Sequence, residues 1–211
     1  MTRILLISGS TREGSLHTAA LRTAARFAPG DISATLYAGL RWLPAFVPEE
    51  PAMPEAVAEL RQQVFGAHAV LFCTPEYAGA LPGSLKNLLD WLVDGNALNG
   101  KPVAWLSLCG PGQDAGALAE LEIVLGHAQA RMLSSACIRI PLGPEALGEH
   151  GGVIDPQLHQ ALLDMVQALV RSLDTPQPHQ LPSWQAYSSL YPVVPRRDTS
   201  TFYDWRAHRR S

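Results

Sequence analysis

The chain has 211 residues and a mass of 22.8 kDa, room for one domain with some length to spare. It is 47% hydrophobic and 17% charged, which supports a sizeable core and excludes wholesale disorder. A formal net charge of -3 does not point to nucleic acid or an anionic membrane as the main partner.

The N-terminus, "MTRILLISGS", is a short apolar run that reads as a buried strand over residues 3–8, closed by Gly9. It is too short for a signal-peptide core. A helix follows from Ser15, the expected N-cap, with Leu16, Ala19, Ala20 and Ala24 on one face. "ISATLYA" (32–38) is a second strand, and a proline-rich loop leads to a helix over 54–65 with Pro54 in its first turn. "AVLFC" (69–73) is the third strand. The helix over 84–93 carries Leu85, Leu88, Leu89 and Leu92 as a core stripe, with Lys86 and Asp90 paired outside it. A fourth strand over 101–109, a helix over 115–130 and a fifth strand over 131–140 follow. A last helix, over 155–173, has Asp155 as N-cap and Pro156 after it. No run approaches the roughly 20 apolar residues of a membrane span.

Five strands alternating with helices, apolar throughout, belong to the doubly wound α/β class with a parallel sheet. Ligands in that class bind beyond the carboxyl ends of the strands, so the loops after the first, third and fourth strands are the candidate site. Cys73, Cys109 and Cys137 have no CxxC spacing, which excludes a disulfide framework and a zinc site; they read as small buried hydrophobes in a reducing compartment. The histidines show no metal spacing. A soluble, cytoplasmic protein is expected.

The first loop, "GSTREGS", joins strand to helix, where backbone amides form an anion site. Gly9 and Gly14 have Walker spacing, but Ser15-Leu16 replaces the Lys-Ser/Thr of an NTPase. Thr11 occupies the middle glycine of a dinucleotide fingerprint, and the second strand ends without a ribose-binding acid. Hydroxyls at Ser10, Thr11 and Ser15 with the Arg12 guanidinium suit a terminal phosphate monoester, as in FMN. The competing reading is a plain glycine turn before a capped helix, with Arg12 solvated.

Together the first loop and "PEYAGALPGSLKNLLDW" (Pro75–Trp91) resemble the NAD(P)H-dependent FMN reductase family, a flavodoxin-like group that includes quinone, azo-dye and chromate reductases. Its motifs have the forms GSxRxxSxN and PEYNxxxPGxLKNxxDW; this chain has His17 and Ala78 where they have Asn. The resemblance covers residues 1–172 and implies a five-stranded sheet of order 2-1-3-4-5. It places the FMN phosphate against Ser10, Arg12, Ser15 and His17. The isoalloxazine would lie against Pro75, Glu76, Tyr77 and Ala78, with Cys109 and Gly110 in a glycine-rich loop at the far edge. The small residues Ala78, Gly79 and Ala80 would let backbone approach the ring, and Tyr77 would form an aromatic wall.

The implied activity is ping-pong: NADPH or NADH gives a hydride to bound FMN, and a small electron acceptor then takes the electrons. The acceptor could be a quinone, a flavin, an azo compound or a metal oxyanion. The flavin carries the chemistry and no protein group is assigned a catalytic role. A flavodoxin-like electron carrier and a flavin-binding sensor are the non-enzymatic alternatives; an apo-enzyme using FMN as substrate is a third. Residues 173–211, rich in proline and aromatics, lie outside the resemblance and are expected to form an extension at the interface of a homodimer or homotetramer.

Overall fold

The computed structural model describes residues 1–148 and 152–173; the expected C-terminal extension lies outside the described residues. The first half of the chain runs β1 (Thr2–Ser8), α1 (Leu16–Phe27), β2 (Ile32–Leu36), α2 (Glu55–Gly66), β3 (Ala69–Cys73) and α3 (Gly83–Asp94). The second half runs β4 (Pro102–Ser107), α4 (Ala115–His127), β5 (Arg131–Met132), β6 (Ile138–Arg139) and α5 (Pro156–Leu173). The strands form a parallel sheet of order β2-β1-β3-β4-β5, with β6 also pairing β4. That is the expected flavodoxin-like doubly wound order.

Burial explains why the central strands read as unbroken apolar runs. Ile4 and Leu6 of β1 face a core shared with Ala20, Leu21 and Ala24 of α1 and with Leu162, Met165 and Leu169 of α5. Leu5 and Ile7 face the opposite core, built with Leu60 and Val64 of α2, the α3 stripe and Leu121 of α4. Each successive side chain of such a strand must be apolar, because both faces are covered. The stripe Leu85, Leu88, Leu89 and Leu92 is fully buried, and Lys86 bonds Asp90 at 2.6 Å.

Local chemistry differs from expectation in four places. Ser15 is the N-cap of α1, but its side chain makes no capping bond. Pro54 precedes α2 as its N-cap rather than lying inside its first turn. The α4 helix stops at His127, and the chain leaves it through Gln129 at φ 55°. The fifth strand is not continuous: β5 and β6 are separated by a 3-10 turn over Ser134–Ala136. Paired serines favour such a turn, and Ser135 Oγ bonds Ser172 Oγ of α5 at 2.9 Å. Both pieces still pair with β4, Met132 opposite Val103 and Ile138 opposite Leu106, so the turn absorbs the surplus residues. This register places Arg139 opposite Ser107 at the end of β4. At α5 the expected start holds, with Asp155 Oδ1 accepting the Gln157 amide at 2.8 Å.

Candidate functional site

The sheet order brings three loops side by side. Ser8 ends β1 opposite Cys73, which ends the adjacent β3, and β4 lies next to β3. The loops after these strands therefore emerge together at the carboxyl edge, beside the reversal of strand order.

The first loop is drawn close to the second. The Gly9 amide donates to the Cys73 carbonyl at 2.9 Å. A Cβ on Gly9 would stand 2.2 Å from Thr74 Oγ1, so only glycine fits there. Gly14 adopts φ 69°, the left-handed turn that lets the chain enter α1. Ser8 and Thr18 share a 2.8 Å hydroxyl bond beneath the loop. From outside, Arg41 Nη2 donates to the Thr11 carbonyl at 2.7 Å, and Arg41 pairs with Glu13 at 3.4 Å.

Ser10 and Ser15 are buried, whereas Arg12 is exposed. The His17 ring is mostly buried, and its Nε2 has no hydrogen-bond partner. Burial lowers the pKa of His17 to about 4; Asp114 opposes that shift and Arg12 adds to it. At neutral pH the imidazole is therefore uncharged. A buried ring nitrogen with no hydrogen-bond partner is costly unless a ligand meets it, and the loop just before it buries two hydroxyls as well. This arrangement suits a phosphate monoester, and it argues against a loop serving only as a turn.

The loop after β3 is a tight hairpin. Tyr77 and Ala80 exchange both backbone hydrogen bonds, at 3.0 and 3.1 Å. The two residues between them have positive φ, Ala78 at 52° and Gly79 at 77°. That is the geometry of a type I′ turn, whose first central position favours asparagine. Gly79 meets the left-handed φ that the second central position of such a turn requires, and the space beside its missing Cβ is open. Pro75 is buried, Tyr77 is half-exposed and Ala78 is exposed. Glu76 turns inward, with Oε2 accepting the Ala117 amide in the first turn of α4 at 3.0 Å. A carboxylate there also meets the helix dipole. Glu120 Oε2 accepts the Leu81 amide at 2.8 Å, completing the seam between hairpin and α4. At its tightest point the seam requires Gly116, whose Cβ would lie 2.0 Å from the Gly79 carbonyl oxygen.

Cys109 and Gly110 open the third loop, and both are partly exposed. The Gly110 amide donates to Gln113 Oε1 at 3.1 Å. Beneath them lies a polar cluster that the sequence reading did not single out. Asp114 is fully buried and accepts from Ser107 Oγ at 2.5 Å and from Arg139 Nη1 at 2.6 Å. The same nitrogen lies within reach of Ser107 Oγ (2.7 Å) and of the Cys109 and Gly110 carbonyls (2.9 and 3.1 Å). One guanidinium thus anchors the loop's carbonyls and its acid. Burial raises the pKa of the Cys109 thiol, with Asp114 adding to the shift. The thiol form therefore prevails at neutral pH. The signal for this cluster was a lone arginine in the strand "CIRI": a charge in a buried strand requires a partner.

The sequence profile of NADPH-dependent FMN reductases matches residues 2–143. An NAD(P)H-dependent FMN reductase of Pseudomonas aeruginosa is 32% identical over 172 residues, covering 79% of this chain and 92% of that protein. An NADPH azoreductase of a Bacillus strain is 29% identical over 166 residues, covering 77% of this chain and 90% of its own length. Among solved structures, the flavoenzyme NAD(P)H:(acceptor) oxidoreductase FerB of Paracoccus denitrificans superposes with a TM-score of 0.71 at 29% identity, covering 82% of this chain and 98% of that one.

Proposed function

This chain belongs to the NADPH-dependent FMN reductase family and is an FMN-dependent NAD(P)H oxidoreductase; we propose how its residues hold the cofactor and what it reduces. The FMN phosphate is held by Ser10, Arg12, Ser15 and His17. The hairpin residues Pro75, Glu76, Tyr77 and Ala78, with Cys109 and Gly110 of the third loop, would hold the isoalloxazine. The observation that carries this reading is the buried His17 Nε2 without a partner, in the first turn of α1, directly after a loop that buries two hydroxyls.

When bound, FMN would supply the hydride-accepting and electron-donating chemistry of the reaction. This chain's residues place and shield it. Arg12 supplies positive charge, and Ser10, Ser15 and His17 supply hydrogen bonds to phosphate oxygens. Tyr77 presents a flat apolar wall that excludes water from one side of the ring. Glu76 acts indirectly: by fixing the hairpin to α4 it sets the height of that wall. Arg139 and Asp114 hold the Cys109–Gly110 backbone rigid, so the far edge costs little reorganisation.

The acceptor is a small planar or polar oxidant of the quinone, flavin, azo or metal-oxyanion class. Residues 1–172 form the flavin-binding body. The enzyme works in the cytoplasm as a homodimer or homotetramer, consistent with free thiols at Cys73, Cys109 and Cys137 and with exposed Trp42 and Ile123. Among the described residues no helix is long and apolar enough to cross a membrane.

The test is an absorbance spectrum of the protein with FMN, repeated anaerobically after NADPH and then NADH. A yellow protein that bleaches with either nucleotide is the expected result. Failure to take up FMN, or a flavin that stays oxidised with both, would refute the assignment.

A further inference from the structure

His17 stands where the family motif has an asparagine, and the difference changes the charge balance of the phosphate loop. A flavin 5′-phosphate carries nearly two negative charges at neutral pH. Arg12 is the only cationic side chain from Gly9 to Leu16. Arg41 reaches the same loop, but its charge is matched by Glu13. One phosphate charge is therefore left without a cation. Two charged groups act on the His17 ring: Arg12 from its own loop and Asp114 from the start of α4. Asp114 is already bound to Arg139. The hydroxyls of Ser8 in β1 and Thr18 in α1 are bonded to each other at 2.8 Å.

We propose that His17 is a proton-coupled specificity residue: it binds the flavin phosphate as imidazolium, and FMN binding takes up a proton from solvent at this ring. The inference rests on the flavin reading above. Without ligand, burial is the main cause that keeps the ring neutral. A phosphate oxygen at the unpartnered Nε2 supplies the opposite charge that burial denies it. The proton adds to the free ring nitrogen, and the pair becomes charge-assisted. Asparagine donates a hydrogen bond there but cannot titrate. Riboflavin lacks the phosphate and gives the ring no reason to charge.

Titration calorimetry of the apo-protein with FMN at pH 7, in two non-phosphate buffers of different ionisation enthalpy, counts the protons. The expected uptake is about one per FMN, with affinity falling at least tenfold from pH 6.5 to 8.5, above the second phosphate ionisation near 6. His17→Asn should bind FMN with no buffer-dependent enthalpy, and riboflavin should bind wild type with no proton uptake. FMN binding without proton uptake overturns the proposal and leaves the flavin assignment intact. Equal uptake in His17→Asn, or with riboflavin, places the proton elsewhere and also overturns it. No FMN binding by wild type overturns the flavin assignment and the proposal with it.

Discussion

Replacing Asp114 by asparagine probes the anchor of the third loop. The carboxylate offers one oxygen to Ser107 and the other to Arg139, at 2.5 and 2.6 Å. Asparagine keeps the shape but has one oxygen, so its NH2 must face either the hydroxyl or the guanidinium. Removing one partner of a fully buried ion pair costs about 3–5 kcal/mol. Here the Arg139 side chain is 24% exposed, and it retains Ser107 Oγ and two carbonyls as acceptors. The expected loss is therefore smaller, about 2 kcal/mol. Asp114 makes no capping bond to α4, so loss of a cap adds nothing to that figure. For a chain of this size the loss corresponds to a Tm lower by about 4–8 °C. Urea denaturation of the apo-protein measures it, and a cycle with Arg139→Met should give a coupling of about 1 kcal/mol or more. FMN affinity should fall as well, because the Cys109–Gly110 backbone loses its tether. A stability change below about 0.5 kcal/mol would refute the reasoning, since a charge stranded at that depth cannot be so cheap.

Two further outcomes follow from single residues. Ala78→Asn should stabilise the fold by about 1 kcal/mol, because asparagine tolerates the left-handed conformation that alanine adopts here at φ 52°; thermal unfolding measures it, and an unchanged Tm would mean the hairpin relaxes. The apo-protein should also lose stability as pH falls from 6.5 through about 4, because His17 is protonated in the unfolded chain over that window and neutral in the folded one. The full effect is about 3 kcal/mol at the acid end, and the pH profile of His17→Asn should lack it.

Much of this protein is local, and that part was legible in the sequence. Apolar runs without alternation marked strands covered on both faces, and the leucine stripe of α3 announced its buried side. The two loop motifs identified the family and its cofactor, since a hydroxyl-rich turn before a helix and a Pro-Gly helix launch are patterns of neighbouring residues. Even the hairpin was visible as a stretch, although its tight turn, with Ala78 and Gly79 both at positive φ, emerged only in the structure.

Tertiary structure decided the rest, because it depends on distances between residues far apart in sequence. Glu76 looks like a loop acid until α4 brings the Ala117 amide to it. Gly116 is unremarkable until the Gly79 carbonyl lies where its Cβ would be. Arg139 meets Ser107 and Asp114 because a 3-10 turn splits the last strand and resets its register against β4. The sequence marks His17 as a motif position, but only packing buries its Nε2 and removes its charge, since desolvation is a property of the whole surrounding shell and not of any neighbour along the chain.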